Sequence, residues 1–568
     1  MVTSQMKLAR LVFAAVLAAA LARFAAAAAD APKPAWQPQE MAFTAKRDHP
    51  WWEFPVRAVF CHNRGTTALT IEGFWDGGRH WVIRAALPQP GTWAWHTESA
   101  DPGLAGHSGQ IEVVTSPADR VAANPNLRGQ VRPTSGGRHF EYADGTPCFL
   151  LADTLWAGNT ARCGLLADGG GPFSEYLADR KAKGFTAVLM QFIHGYGDYP
   201  DGQAHRNEGG YAFLQRDPAR LNPAYFQALD RRMRTLWERG LLAATPIMWW
   251  GKTKKALFTP QDARRLSAYC AVRYGAFNSL WCVSGEYQYT FADCGWTPAD
   301  LSALGAEVQR HNPWKHPLSI HPSGSTAWKA PHNVQSSRPF HGEPWLDHHW
   351  LQTGQSLDRM CHIVTRLADD CALTPARPVF CSEAFYEVAT DPESAYHARW
   401  QGWTAFLNGA AGYGYGAQGL WQFLDRTDAQ GETGKLTDSR PVPWREALRM
   451  PGSAQVGHAR TLLASLEWWK LEPRREAMRV DGRPNSLPTR TNLTPPQAAT
   501  IGGKSWIVYL PRGNANRELQ IAASVHLGAR SRWFDPRTGK FAGEGMAFTS
   551  RLPPRPDPAD EDWVLLIP

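Results

Sequence analysis

The sequence predicts an α/β chain: a (β/α)8 barrel flanked by N-terminal and C-terminal β-sandwich domains. Three observations carry that prediction. From about His139 onward, apolar strand-like runs alternate with amphipathic helical stretches. On either side of this region, short runs of period two are split by Gly, Pro and Asp-Gly turns, the pattern of antiparallel sandwiches. Within it, the runs Leu280–Tyr287 and Pro378–Glu387 each meet a glutamate beside aromatic residues, and Glu286 and Glu383 lie 97 residues apart. That gap is about three strand-helix units of roughly 30 residues each, which fits strands four and seven of one barrel.

Taken in order, residues 1–29 carry Lys7 and Arg10, an Ala/Leu/Val run and a closing Ala-Ala-Ala before Asp30, the layout of an export signal cleaved near Ala29. The mature protein is then expected in the periplasm or outside the cell. No later run is long and apolar enough for a membrane span. Residues 30–115 read as an accessory β-sandwich, with runs such as Val56–Phe60, His80–Arg84 and Gly91–Trp95 between turns. Residues 116–136, rich in Pro, Asn and Gly, read as a linker.

The barrel is assigned to residues 137–470. Its expected strands are Cys148–Asp153, Phe185–Phe192, Leu241–Met248, Leu280–Ser284, Pro317–His321, Asn333–Ser337, Val379–Ser382 and Gly412–Gly416. Between them, Phe226, Leu229, Met233, Leu236 and Trp237 form one helical face, and Leu301, Leu304 and Val308 another. No glycine-rich phosphate loop follows the first strand, which argues against a nucleotide site. Residues 471–568 return to strands, in Lys504–Leu510, Ser531–Gly539 and Asp562–Leu566, and form a second sandwich.

Composition narrows the function classes. The formal net charge of +8 falls once Lys7, Arg10 and Arg23 leave with the signal, and no basic run is interleaved with aromatics, so nucleic acid is not an expected partner. Nine cysteines without close pairing argue against a zinc site. Cys361 with Cys371, or Cys282 with Cys294, could be bridged in an exported chain, although strand cysteines such as Cys282 and Cys381 are commonly plain buried thiols. The 26 tryptophans serve cores, and beside Gly, Asn and His they also suit the C–H faces of sugar rings.

In such a barrel the active site lies at the C-terminal ends of the strands, and two facing carboxylates there perform glycoside hydrolysis. Glu286 on strand four is read as acid then base, Glu383 on strand seven as the nucleophile, and an ionised Glu383 should keep the Glu286 carboxyl protonated. Glu387 is the rival nucleophile, four residues further into the loop. A sugar pocket is expected from Asp153 and Trp156 after strand one, Gln191 and His194 after strand two, and Trp249 and Trp250 after strand three. Tyr287 follows the acid, His321 ends strand five, Gln335 lies by strand six and His348 in the loop after it. No metal or cofactor is expected: His348 and His349 are adjacent, so their side chains diverge, and no third ligand is placed.

These residues resemble those of the apiosidase-like glycoside hydrolases, over about residues 137 to 455. The resemblance rests on Phe149–Trp156 opening the barrel, the tryptophans of strand three, Gly285-Glu286, Gln335-Ser336-Ser337, Ser382-Glu383 and Tyr386-Glu387. It implies exo-acting removal of a sugar, such as apiose from pectin side chains, by a retaining two-carboxylate mechanism. The N-terminal domain resembles the accessory domain of such barrels, and the tail a domain labelled collagen-binding. Members tend to carry aspartate after the strand-four glycine, where this chain has the longer Glu286.

Two other readings differ in class. A non-catalytic carbohydrate-binding protein could use the same barrel mouth. A peptide or ester hydrolase would need a nucleophilic Ser or Cys with a base, and no Gly-x-Ser-x-Gly elbow is present. The oligomeric state is left open.

Overall fold

The computed structural model describes residues 31–194 except 64 and 66, 206–252, 258–425, 442–521, and 528–568 except 559. The expected export signal lies outside these residues. At the centre, eight parallel strands form a nearly closed barrel: β1 Leu150–Thr154, β2 Ala187–Leu189, β3 Leu242–Pro246, β4 Ser279–Cys282, β5 Leu318–Ser319, β6 His349–Gln352, β7 Val379–Glu383 and β8 Gly412–Tyr415. They pair in the order 5-4-3-2-1-8-7-6. Alternation sets which side chains fill the lumen. Leu150, Ala152, Leu189, Ala244, Leu280, Cys282, Trp350 and Phe380 meet inside, while Leu151, Val188, Ala243, Trp281 and Leu351 face the helices. Val131, Phe140 and Tyr142, from the chain that enters the barrel, join the lumen cluster and plug its N-terminal end.

The helices start where the sequence supplies caps. The helix Pro223–Glu238 follows Asn222, whose side chain accepts from the Ala224 N–H, and it buries Phe226, Leu229, Met233, Leu236 and Trp237. Thr259 with Asp262 and Thr297 with Asp300 form capping boxes on the helices Pro260–Tyr274 and Pro298–Arg310.

Strand six is not the expected Asn333–Ser337. That segment runs antiparallel beside β6 and makes one isolated bridge, Ser336 with Leu351. Gln335 holds a left-handed φ of 54°, and Pro339 follows closely, so the extended run breaks. His349–Gln352 takes the barrel position because Trp350 and Leu351 fill its two faces, and His348 precedes the strand at the plugged end of the barrel. Burial pushes the His348 and His349 rings down to about 3, so both serve as neutral polar groups: Trp350 Nε1 donates to His348 Nε2 at 2.7 Å.

The ladder is open only between β5 and β6, where side chains complete the closure. The Asp347 N–H donates to Leu318 O and the Leu318 N–H to Asp347 Oδ2, both at 2.9 Å, and Ser319 Oγ donates to His348 O at 2.7 Å. Burial raises the Asp347 carboxyl to about 6. A folded-state pKa above the unfolded one means the native state binds more protons between about pH 4 and 6, so this contribution to stability is full below pH 4 and lost as pH rises through 6. Asp347→Asn is therefore expected to stabilise the protein at pH 7 relative to pH 4 by on the order of 1–2 kcal/mol, measured by urea melts at both pH values. An unchanged pH profile would refute this role.

The N-terminal domain is a sandwich of a five-stranded and a three-stranded sheet around Phe60, Trp81, Ile83 and Trp93. The C-terminal domain stacks a six-stranded and a three-stranded antiparallel sheet around Trp506, Val508, Trp533 and Leu565. Both dock on the barrel through buried arginines. Arg84 of the first domain meets Asp230 at 3.0 Å beside Arg273, and Arg399 of the barrel meets Asp562 of the last at 2.6 Å.

All nine cysteines are free thiols, so neither of the two conceivable bridges is present, and Cys282 and Cys381 are plain buried thiols. Cys361 and Cys371 sit at opposite ends of the helix His362–Cys371, roughly 15 Å apart at helical rise. Cys282 faces the lumen, while Cys294 ends the short helix Tyr287–Cys294 and approaches Trp250 O.

Candidate active site

The two glutamates end adjacent parts of the barrel mouth. Beyond β4 the ladder continues through the Gly285 N–H to Met248 O at 3.1 Å and the His321 N–H to Ser284 O at 2.9 Å. Gly285 is required there: a Cβ would lie 2.1 Å from Trp249 Cδ2, so only glycine lets that indole rest on the backbone. Glu286 then turns into a left-handed conformation, φ 32° and ψ 60°, and caps the helix Tyr287–Cys294. This turn swings its carboxyl out of strand direction toward β6, where Gln352 Nε2 donates to Oε1 at 3.3 Å.

Glu383 is the last residue of β7 and 7% exposed. His321 Nε2 lies 3.1 Å from Oε2, and Gln355 Nε2 donates to Oε1 at 3.0 Å. Gln355 is itself fixed, accepting from the Tyr386 N–H and donating to Ala384 O. Each carboxylate oxygen thus faces a held nitrogen, which orients the group. Gln352 stands in register with Glu383 and reaches Glu286, so a single glutamine side chain spans from one carboxylate's strand to the other carboxylate.

Aromatic rings line this mouth. Trp156 meets Trp249 at 4.6 Å, His321 lies 5.7 Å from Trp249 and 5.4 Å from Trp350, and Trp156 Nε1 donates to Tyr386 Oη at 3.0 Å. Of the expected pocket residues, Trp156, Trp249 and His321 therefore converge on the glutamates. Gln191 faces inward two residues after Leu189, fully buried, with neither amide atom partnered among the described residues. His194 is buried at the end of the same described segment.

Five expected pocket residues serve elsewhere. Asp153 alternates to the outer face of β1, where Arg180 Nε and Tyr176 Oη donate to it at 2.6 and 2.7 Å. Trp250 donates to Val283 O and packs on Phe258 and Trp296 behind the mouth. Tyr287 is buried against Phe340 and donates to Ser336 O, because the helix after Glu286 turns it away. Gln335 clamps a loop by donating to Gly324 O and Thr353 O. His348 lies at the opposite end of the barrel, against Phe140. The rival Glu387 is also engaged: Tyr415 Oη and the Gly452 N–H donate to it, and burial raises its carboxyl above the usual range.

The sequence does not single out Gln352 and Gln355, whereas Trp350 is expected beside His348 in the loop after strand six and lies instead within β6. The signal for Gln352 is present in His-His-Trp-Leu-Gln, an aromatic run ending on a polar residue like the two glutamate runs, and nothing in the sequence marks Gln355. Among the described residues no group of three or more His, Cys, Asp or Glu is placed to hold a metal ion, and no helix is long and apolar enough to cross a membrane.

Comparison with known proteins adds the following. Residues 134–470 match the family described as apiosidase-like, catalytic domain, and residues 33–100 match a domain of unknown function, DUF5060. No curated protein matches the chain. Among solved structures, a candidate glycoside hydrolase from Bacteroides vulgatus ATCC 8482 has a TM-score of 0.65 at 17% identity, over 94% of this chain and 99% of its own. A family 5 glycoside hydrolase from the same organism has a TM-score of 0.62 at 20% identity, over 78% and 94%. A further structure, titled glycoside hydrolase, reaches 0.61 at 19%, over 78% and 98%. At these identities the likeness is one of fold.

Proposed function

The chain belongs to the apiosidase-like family, and from that membership and the paired glutamates we propose that it is an exported, retaining glycoside hydrolase acting on a plant-type polysaccharide, pectin side chains included. The observation that carries this reading is the delivery of Glu286 and Glu383 to one mouth from strands four and seven, with Gln352, the register partner of Glu383, donating to Glu286. Retaining hydrolysis uses carboxyls about 5–5.5 Å apart and inverting hydrolysis a wider gap that holds water. The likeness to the apiosidase-like hydrolases supports the first.

In this mechanism a Glu383 oxygen attacks the anomeric carbon while Glu286 gives its proton to the departing glycosidic oxygen. The bond to the leaving group breaks as the ester to Glu383 forms. Glu286, now ionised, takes a proton from water, whose oxygen attacks the same carbon and releases Glu383. His321 and Gln355 hold Glu383 in line, and the Trp156–Trp249 pair beside His321 supplies the apolar side of the sugar site. Export is supported by the charged, apolar and small-residue layout of residues 1–29.

The test is incubation of the purified chain with plant, algal and bacterial polysaccharides, pectin among them, with the anomeric configuration of fresh product followed by NMR. Release with retention is expected. Release with inversion would overturn the mechanism, and no release from any polymer would favour a carbohydrate-binding protein.

A further inference from the structure

A second opening lies at the other end of the barrel, where the C-terminal domain meets it. This cavity has a volume of about 680 Å³, within the ~300–1,000 Å³ of small-ligand sites. Its floor is apolar: Phe149, just before β1, and Phe406, at the end of the helix Ser394–Leu407. Two consecutive tryptophans, Trp468 and Trp469, stand in its wall, both half-buried and nearly perpendicular at 89°.

Trp468 is fixed edge-on against Phe149 at 4.8 Å and His139 at 5.8 Å, while Trp469 has only Trp468 as a ring partner among the described residues. Neither indole N–H donates to a protein acceptor among the described residues. The rest of the lining mixes aliphatic side chains, Val364, Leu463 and Leu471 among them, with arginines and carboxylates in equal number. Several of these pair with each other or with neighbours, as Arg474 does with Glu472.

Physical chemistry narrows the occupant. An apolar ligand would strand the charged groups, and a polyanion would meet as many carboxylates as guanidiniums. A neutral sugar chain presents C–H faces to indole rings and hydroxyls to both donors and acceptors. The geometry points to this cavity as a second binding site, distinct from the barrel mouth, for a segment of neutral oligosaccharide, with Trp469 as its platform. The lining carries this assignment, so it stands apart from the chemistry of the glutamates.

Affinity electrophoresis of the full chain through gels containing xyloglucan, arabinoxylan, galactomannan or arabinogalactan tests it, with polygalacturonate as the anionic control. Retardation by at least one neutral polymer is expected. Trp469→Ala should raise the dissociation constant about tenfold or more, the loss of one good contact, and Trp469→Phe should keep most of the affinity. Thr365→Trp, which fills the cavity from an exposed helical position and leaves both tryptophans in place, should abolish the same retardation. That variant keeps the test decisive if Trp469→Ala fails to fold. No retardation by any neutral polymer, retardation by polygalacturonate alone, or full retention by both Trp469→Ala and Thr365→Trp would overturn the proposal. Retention that depends on Trp469 without any sugar release would uphold this site while sinking the hydrolase reading.

Discussion

Glu383→Ala is expected to lower kcat/KM by on the order of 10⁴-fold or more, since it removes the nucleophile proposed to form the covalent intermediate. Added azide should restore turnover by entering the vacated space and yield a glycosyl azide of inverted configuration. Glu286→Ala should instead give an azide of retained configuration, because azide then replaces water in the second step. These products separate the two roles in a way that rates alone do not. Glu387→Gln is the informative control: it disturbs the bonds from Tyr415 and Gly452 and should cost about 1–3 kcal/mol of stability while turnover persists. If azide rescues Glu387→Ala but not Glu383→Ala, the nucleophile has been misassigned.

The largest stability effect is expected at the junction with the N-terminal domain. Asp230 lies between two fully buried guanidiniums, 3.0 Å from Arg84 and 2.9 Å from Arg273 Nε. Burial alone would lower both guanidiniums, yet Asp230, with Glu40 beside Arg84, outweighs it and holds them above their ordinary value. Asp230→Ala leaves two buried cations facing each other. Removing one partner of such a set costs about 3–5 kcal/mol, and the loss should appear in calorimetry as an early transition of the undocked sandwich. Limited proteolysis should then release a fragment ending near residue 120. A melting profile unchanged from the parent would refute the central role of Asp230.

The barrel and the place of its two candidate glutamates at the mouth were legible because buried parallel strands read as unbroken apolar runs, and because a carboxylate at the end of such a run is costly without a use. Strand six was misread because its neighbour Asp347, which closes the seam, and the pair His348-His349 look like loop chemistry. Only the three-dimensional packing shows that burial neutralises those rings. Asp153 misled for a related reason. A carboxylate at a strand end can face the mouth or the helices, and alternation along β1 turns Asp153 outward to Arg180. Sequence spacing gives the end of a strand readily and the face of a side chain only when the register is known. Gln352 and Gln355, which tie the site together, depend wholly on that register.

The backbone of Glu286 carries one more implication. A left-handed φ of 32° suits glycine, and among other residues asparagine and aspartate, better than glutamate. Glu286→Gly should thus gain about 1 kcal/mol even as it removes the proposed acid. A directed-evolution campaign scored on heat tolerance alone would drift toward sturdy, inert proteins at this position. Any such library needs an activity gate at residue 286, because here durability and chemistry are selected in opposite directions.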